Sequence, residues 1–387
     1  MGDILDIVLK EGYLIDGNGT PGRRISGLGI KDGRIFMIEE DASADSYPSK
    51  RSVSLEGCAI LPGIVNAHVH AGFKYMDNEA LHDFERDYLR SCLLDGVTTL
   101  RDEGMFTEDE LETVIEKKIQ LENDGGYPRI VTTGKFFSAP GGYGGQAPIA
   151  IESTREAIQK VNHLLDLGID MVKTVLEDGI DPSTFGLPQL TDPLLFVLCD
   201  EAHRRKTKVS AHVTQAHNLK RLVEAGIDDA AHMIYDELPE ELIQRMIEKG
   251  TFIVPTLTIL KMFDDRFGLT LLKQGQMNVK RFVDAGGKIA VGNDYIETID
   301  PWYPTGLPFL ELQLLKECGL TEAQILQAAT KHGAEVCNLS HELGTIEVGK
   351  VADFLIVKGN PEFNLDDLKN VVMVIKKGEI VVDNTIE

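Results

Sequence analysis

Eight short apolar segments alternate with amphipathic helical segments between residues 58 and 340, and this alternation constrains the fold more than any other feature. A parallel strand pairs with its successor only after a long crossover, usually a helix, so the pattern predicts an α/β fold with a parallel sheet. Eight repeats favour a (β/α)8 TIM-like barrel. An open doubly wound sheet is the alternative, and the absence of GxGxxG after the first strand counts against it. The eight predicted strands are AILPGIVNAH, VTTLRD, RIVTTGKFFS, DMVKTVL, KVSAHVT, DAAHM, TFIVPTLTI and KIAVGND.

Both ends of the chain have a different sequence pattern, in which short segments typical of β-strands are separated by turn residues. DIVLKEGYLIDGNG and LGIKDGRIFMIEE each predict two strands joined by a turn, and Asp32-Gly33 is the hairpin turn of the second. VADFLIVKG and VVMVIKKGEIVV repeat the pattern near the C-terminus, with Lys377-Gly378 at the turn. We therefore predict that residues 1–57 and 345–387 form a small composite β-sandwich, and that residues 58–344 form the barrel.

The charge balance limits the classes of partner. Acidic residues outnumber basic residues by 62 to 39, which gives a formal net charge of -23. This charge repels nucleic acid and anionic membranes, and no cluster of Lys or Arg offsets it, so neither is expected as a partner. No segment approaches the roughly 20 apolar residues of a bilayer span, and no basic segment followed by an apolar one begins the chain. We expect a cytoplasmic protein that acts on a small molecule, as a monomer or a homo-oligomer.

His68 and His70 end the first predicted barrel strand. Residues i and i+2 of a strand point the same way, so both imidazoles face one point. In a barrel, the carboxyl ends of the strands form the rim where active sites lie. Two imidazoles at this rim can bind one metal ion, although the pair alone is equally compatible with packing.

Further ligand-type residues recur at the ends of later strands: His212 on the fifth, His232 on the sixth and Asp294 on the eighth. A single histidine in an apolar strand is usually a core residue. Four histidines and one aspartate at equivalent positions on four strands are difficult to explain as packing. Their nitrogen and oxygen donors suit Zn²⁺ and related divalent ions.

Lys173 lies within the apolar fourth strand, although lysine is almost never fully buried without a partner. One interpretation is that it pairs with an acid or extends to the strand end. The other is that burial leaves a neutral amine that reacts with CO₂, because the resulting carbamate has two oxygens that can bridge two cations. We favour the second interpretation, since the histidines would bring cations to hold the carbamate.

With these residues in place, the chain resembles the amidohydrolase superfamily over nearly its whole length, and in particular its prolidase-like and imidazolonepropionase-related members. This resemblance implies that His68, His70 and Asp294 hold a more buried divalent ion, most often Zn²⁺, and that His212 and His232 hold a second. A carboxylated Lys173 and a hydroxide would bridge them. The stretches that carry the resemblance are LPGIVNAHVH, GVTTLRDEG, SAPGGYGG, DMVKTVLEDG, VSAHVTQAHNL, AAHM, VGND and LGTIEVGKVADFLIVKGNP.

The resemblance also narrows the reaction. Deaminases of the superfamily have a fifth-strand HxxE, and Gln215 stands here in place of that Glu. Lys173 points to the two-metal hydrolases, similar to dipeptidases and N-acyl amino acid hydrolases. The implied function is hydrolysis of a peptide-like amide bond, with Asp294 as the catalytic residue that moves the proton. Alternatives are hydrolysis of a cyclic amide, ester, lactone, carbamate or urea, and a catalytically silent binding homologue, which is disfavoured because all six candidate ligands are present.

Three residues are candidates for substrate contact, each with a structural alternative. Arg101 ends the second predicted strand, where it either reaches the pocket or forms an ion pair. Tyr143 lies in the Gly-rich segment SAPGGYGG, which is either a loop over the site or a connector. Tyr295 follows Asp294 and either lines the pocket or packs in the core.

Overall fold

The computed structural model describes residues 4–41, 47–71, 79–104, 111–144, 148–179, 184–296 and 305–385, with side chains in the first helix from residue 87 onwards. The strands in this part of the chain are β1 (Leu5–Lys10), β2 (Tyr13–Leu14), β3 (Arg23–Arg24), β4 (Gly27–Lys31), β5 (Arg34–Glu39), β6 (Ser49–Ser54), β7 (Cys58–Pro62), β8 (Ile64–His70), β9 (Val97–Asp102), β10 (Arg129–Thr132), β11 (Phe136–Ser138), β12 (Ile149–Ala150), β13 (Val172–Val175), β14 (Val209–His212), β15 (Asp229–Ala231), β16 (Phe252–Val254), β17 (Tyr295–Ile296), β18 (Phe354–Lys358), β19 (Val371–Lys376) and β20 (Glu379–Asp383).

The helices lie mainly between the parallel strands. None of those in the described ranges has both the length and the apolar character that a bilayer span requires. They are α1 (Glu79–Leu94), α2 (Leu111–Asp124), α3 (Thr154–Leu167), α4 (Asp192–Arg204), α5 (Ala216–Ala225), α6 (Glu240–Lys249), α7 (Leu257–Phe267), α8 (Leu272–Asp284), α9 (Phe309–Glu317), α10 (Glu322–Gln327) and α11 (Gly333–Val336), with a π-helical turn at Ala328–His332 and a 3₁₀ turn at Leu365–Lys369.

The central strands are parallel, as the alternation predicts. One sheet has the order β10-β9-β8-β17 and a second has the order β12-β11-β13-β14-β15-β16. The amide of Ala290 donates to the carbonyl of Ile253 at 2.9 Å, and the amide of Ala67 donates to the carbonyl of Val291 at 2.7 Å. The segment before β17 therefore contacts β16 on one side and β8 on the other. The prediction of an α/β fold with a parallel sheet is confirmed.

The segment AILPGIVNAH, predicted as one strand, is two strands in different sheets. β7 pairs antiparallel with β18, whereas β8 pairs with β9. Gly63 separates them, and a Cβ there would lie 2.1 Å from the hydroxyl oxygen of Thr98, so a side chain would not fit at this change of direction. The sheet that contains β7 thus extends to Pro62, and the domain boundary at residue 57 stays a prediction.

Both chain ends contribute to two further sheets, of order β5-β4-β1-β6 and β20-β19-β18-β7-β2-β3. Their buried side chains form one apolar cluster, in which Leu9 and Leu28 of the first sheet join Ile60, Ile356 and Met373 of the second. The cluster explains why the two distant ends of the chain pack together: each sheet is apolar on the face that the other covers.

The two predicted hairpin turns are present. Asp32 and Gly33 have φ values of 49° and 76°, and Lys31 pairs with Arg34 across the turn. Lys377 and Gly378 have φ values of 51° and 80° between β19 and β20. Two successive residues with positive φ define the tight turn whose twist suits antiparallel strands, and glycine adopts that conformation without strain.

Candidate metal centre and substrate cavity

A cavity lies at the carboxyl ends of the central strands, and all six predicted ligands line it. Successive parallel strands end at one edge, so residues far apart in sequence converge there. The polar residues that line the cavity are His68, His70, Glu103, Tyr143, Lys173, His212, Thr214, His232, Tyr235 and Asp294.

His68, His232 and Asp294 form the tightest group, since each offers one ligand atom within 4.8 Å of the other two. The Nε2 atom of His68 lies 3.2 Å from Oδ1 of Asp294, and the Nε2 atom of His70 lies 3.4 Å from the same oxygen. The rings of His212 and His232 are 4.5 Å apart between centroids. Two imidazoles thus converge on one carboxylate oxygen, and His212 stands on the other side of His232.

Hydrogen bonds behind the rings orient the histidines. The Nδ1 atom of His70 is 2.7 Å from the carbonyl oxygen of Gly104, which can only accept, so Nδ1 carries a proton and Nε2 is the nitrogen beside Asp294. The Nδ1 atom of His232 is 2.9 Å from the hydroxyl of Thr256. Such bonds orient the rings, and histidines in known metal sites have similar bonds at the nitrogen that does not bind the metal.

His212 is held by a buried carboxylate on the strand beside it. Its Nε2 atom lies 3.2 Å from Oε2 of Glu177, and the hydroxyl of Thr214 donates to the same oxygen at 2.6 Å. Burial alone would raise the pKa of Glu177, but the interaction with His212 and the bonds from Thr214 and Gln215 lower it to about 2. Glu177 is therefore ionised at neutral pH, and the oxygen that accepts from Thr214 also lies beside Nε2 of His212.

Two of the ligand residues have strained backbones. His232 has φ of 84° and Asp294 has φ of 52°, in the left-handed region that residues with a side chain rarely adopt. Such residues cost about 1–3 kcal/mol each and are kept where the surrounding structure holds them, most often at functional sites. The amide of Asp294 donates to the carbonyl of His68 at 2.9 Å, which fixes the carboxylate beside its two histidine neighbours.

The unpaired polar atoms of the site show that these residues suit a cation. Within the described part of the chain, both ring nitrogens of His68 and Oδ1 of Asp294 are buried without a hydrogen bond of acceptable geometry. Burial lowers the pKa of His68 to about 4, against a smaller opposing effect of Asp294, so the ring is neutral at pH 7. A neutral imidazole beside a buried carboxylate is the form that binds a divalent ion, and such an ion would satisfy these atoms.

Lys173 points into the same cavity and contacts an acid that the sequence interpretation overlooked. Its Nζ atom forms an ion pair with Glu103 and lies 3.5 Å from the hydroxyl of Ser210. Burial would raise the pKa of Glu103, but the positive charges of Arg101 and Lys173 lower it overall. The acid-paired interpretation of Lys173 therefore describes its present contacts, and carboxylation stays a prediction.

Arg101 does not reach the cavity, which corrects the expectation that it contacts substrate. Its side chain is completely buried, and its Nη1 and Nη2 atoms donate to the two carboxylate oxygens of Asp229 at 2.7 and 2.8 Å. Its Nε atom lies 2.6 Å from the carbonyl oxygen of Ala67 and 2.7 Å from Glu103. All three nitrogens of the guanidinium therefore bind groups beneath the site, and they connect β9 with β8 through Ala67 and with β15 through Asp229.

Replacing Arg101 by methionine should lower the free energy of unfolding by about 3–5 kcal/mol, because Asp229 would remain as a buried charge without its partner. Urea denaturation followed by circular dichroism measures this change. Arg245→Met is a matched control, since Arg245 also binds one carboxylate through two nitrogens, but at the exposed surface with Glu224, and little change is expected there. Equal effects of the two substitutions would contradict the structural role of Arg101.

Tyr295 also lies outside the cavity. Its ring is 1% exposed and stacks on Tyr88, with 3.7 Å between centroids and 3° between planes. Asp294 and Ile296, its neighbours in the chain, both line the cavity. This stacking and the near-complete burial show that the side chain of Tyr295 is directed into the core. Its candidacy as a substrate contact is corrected to a packing role.

Tyr143, in contrast, lines the cavity beside a predicted ligand. Its ring stacks on that of His212, with 4.8 Å between centroids and 24° between planes. The segment SAPGGYGG is described up to Gly144, and its last residue lies outside the described ranges. Tyr143 therefore remains a candidate for substrate contact.

The sequence interpretation missed Glu103, Glu177 and Thr256. Glu103 directly follows β9, so the rule that found the histidines, a polar residue at a strand's carboxyl end, would also have found this acid. Glu177 lies two residues after the end of β13, beyond the regular strand, so strand periodicity could not assign it. Thr256 carried no such signal, because its role depends on a contact with His232 that only the fold creates.

Comparisons with known proteins identify the family. A model of the amidohydrolase family matches residues 59–381, so the chain belongs to this family and the predicted resemblance is confirmed. An uncharacterised protein of Mycobacterium tuberculosis is 30% identical over 334 residues, which cover 81% of this chain and 82% of that protein. Ochratoxinase of Aspergillus niger is 25% identical over 410 residues, which cover 94% of this chain and 82% of that enzyme.

A solved structure has the same fold. The crystal structure of a Xaa-Pro dipeptidase with bound methionine in its active site superposes with a TM-score of 0.83 at 24% identity, covering 97% of this chain and 99% of that one. Family membership together with these hydrolase relatives makes the protein a hydrolase that acts on carbon–nitrogen bonds.

Proposed function

We propose that the protein is a metal-dependent hydrolase that cleaves a peptide-like amide bond, of the kind found in a dipeptide or an N-acyl amino acid. The observation that carries this proposal is the convergence of His68, His70, Lys173, His212, His232 and Asp294 on one cavity, with unpaired nitrogen and oxygen atoms among them. The relatives named as a dipeptidase and as ochratoxinase add support.

A closed barrel is part of this proposal, because it would place the six side chains on a common rim. The backbone contacts from the segment before β17 to β16 on one side and to β8 on the other support closure. The cluster shared by the two terminal sheets likewise supports a composite β-sandwich built from both chain ends.

The proposed ligand set is the one that the family resemblance implies, and the positions of the side chains support it. His68, His70 and Asp294 would hold one divalent ion, and His212 and His232 a second. Lys173, carboxylated by CO₂, would bridge the two ions, for which the nitrogen-rich donor set favours Zn²⁺. Such ions, when bound, make water a better nucleophile at neutral pH and polarise the bond to be cleaved.

Asp294 is the residue we assign to proton transfer. Its Oδ1 atom lies beside the Nε2 atoms of His68 and His70, in the lining of the cavity. There Oδ1 would take the proton of the attacking water and return it to the departing nitrogen. Tyr143 would donate a hydrogen bond to the substrate from beside His212.

The same centre would also cleave a cyclic amide, an ester or lactone, a carbamate or a urea, since each presents a carbonyl to the attacking water. A screen of dipeptides, N-acyl amino acids and these alternatives, combined with elemental analysis of the purified protein, tests the proposal. We expect about two ions per chain and turnover of an amide. Turnover of only lactones or ureas would contradict the peptide-like amide, and a protein without metal or turnover would be a silent homologue.

A further inference from the structure

One side of the cavity is entirely apolar. The helix α7 begins three residues after β16, so it starts at the carboxyl end of a central strand and passes beside the metal-ligand cluster. Residues 259, 260, 262 and 263 are spaced so that they share one face of this helix. We call the surface formed by these residues and the following loop the α7 wall, which consists of Ile259, Leu260, Met262, Phe263 and Leu271.

The α7 wall is fixed relative to the polar centre. The carboxylate of Glu311 accepts hydrogen bonds from the amides of Leu257 and Thr258 at 2.9 and 2.8 Å, and from the hydroxyl of Thr258 at 2.6 Å. These bonds satisfy amides of the first turn of α7, which have no partners within the helix. Thr256, just before the helix, also bonds to His232. The wall therefore stands at a set distance from the ligand cluster.

The α7 wall offers no partner for a charged group. Among the described residues that line the cavity, Lys173 is the single lysine or arginine, and it is already paired with Glu103. The other ionised side chains in the lining, Glu103 and Asp294, are acids. An anionic group placed against the wall would lose its hydration without gaining a cation or a hydrogen-bond donor, which is unfavourable.

Apolar surface continues from the cavity to the outside of the molecule. The ring of Phe263 lies 5.9 Å from that of Phe267, one helical turn further along. Phe267 is 59% exposed, and Leu269 in the next loop is 39% exposed. Apolar side chains that are exposed next to a pocket indicate a surface along which an apolar ligand enters.

We propose that the α7 wall binds an apolar, uncharged group of the substrate, of the size of a phenyl ring or a branched alkyl chain. This inference rests on the proposed function in one respect, the kind of bond that is cleaved, and the binding of the apolar group does not depend on it. It names the substrate class as amides, or related carbonyl compounds, with a bulky apolar substituent on one side of the bond. Burial of such a group against the wall should favour it over a methyl group by about 10- to 100-fold in kcat/KM.

The test uses pairs of amides that differ in one substituent at a time: acetyl against phenylacetyl on the acyl side, and methyl against benzyl on the amine side. Each is measured with the metal-loaded enzyme and with the variants Phe263→Ala and Leu271→Ala, both of which change half-buried residues that are less critical for folding. We expect the variants to lose most of the preference, so that the ratio of kcat/KM between the bulky and the small member of the preferred pair falls towards one. Phe196→Ala on α4, an exposed phenylalanine outside the cavity lining, is the matched control.

Binding separates this inference from the proposed function. Benzylacetone is an uncharged ketone that cannot be hydrolysed, and calorimetry should show it binding at least tenfold more tightly than butanone to the wild-type protein but not to Phe263→Ala. If benzylacetone binds in this way while no carbonyl compound is hydrolysed, the wall is supported and the proposed function fails. The opposite result is that amides with small or anionic substituents are hydrolysed as fast as, or faster than, those with the bulky apolar substituent. The proposed function would then hold, and the inference about the α7 wall would be overturned.

Discussion

Asp294→Asn should lower kcat by about 10²- to 10⁴-fold, which is the usual contribution of a general acid or base. Asparagine keeps one side-chain oxygen to face His68 and His70, so the shape of the cluster is preserved. Its amide group cannot take up a proton at neutral pH, so the transfer from water to the departing nitrogen is lost. Steady-state kinetics on the most reactive amide measures the change.

Metal content distinguishes loss of a proton acceptor from loss of the site. We expect Asp294→Asn to retain metal by elemental analysis, since the histidines and one oxygen remain. Asp353→Asn controls for the loss of a buried carboxylate, because Asp353 pairs with Arg129 away from the cavity and should affect stability rather than kcat. An Asp294→Asn enzyme that turns over within threefold of the wild type would contradict the proton-transfer role.

The fold could be predicted where local patterns are sufficient. Alternating strands and helices give the parallel arrangement, and the residue types at the hairpin turns give the antiparallel pairs at both ends. The prediction TFIVPTLTI is instead wrong as a single strand, since β16 ends at Val254 and α7 begins at Leu257. Thr and Ile favour strands, but Glu311, 53 residues beyond Thr258 in sequence, supplies hydrogen bonds for a helix start. Such a distant partner leaves no signal in the local sequence.

In the candidate site, too, some positions follow from the local sequence pattern and others depend on contacts between distant residues. His68 and His70 could be assigned together because the period of a strand directs both to one side. That period could not place Tyr295, because Asp294 before it has φ of 52° and is not extended, and only the contact with Tyr88 shows that Tyr295 faces the core. Arg101 could not be placed by this rule, because its partner Asp229 is 128 residues away and belongs to another strand. Position at a strand end thus predicted which histidines and which aspartate line the cavity, whereas the surroundings of Arg101 and Tyr295 depended on contacts between distant parts of the chain.

Lys173→Met should remove about one metal ion per chain and lower kcat/KM at least about 100-fold, because a bridging group that holds two cations contributes several kcal/mol to the reaction. Methionine fills the space of the lysine stem without its nitrogen, so the packing beside Ser210 is largely kept. Elemental analysis and kinetics measure the two effects. Lys118→Met is the matched control, since Lys118 is also buried and paired with an acid, Asp170, but lies outside the cavity lining.

The chemical state of Lys173 can be observed directly. Its contact with Glu103 favours the ammonium form, whereas two bound cations favour the anionic carbamate, so carboxylation should require metal. Protein incubated with ¹³C-bicarbonate should show a carbamate carbon resonance when metal-loaded, and that signal should vanish after chelation and in Lys173→Met. A loaded, active enzyme with no such resonance would mean that Lys173 remains an ammonium paired with Glu103. The cations would then be held by the histidines and Asp294 without a bridging carbamate. The proposal that carboxylated Lys173 bridges two ions would be wrong.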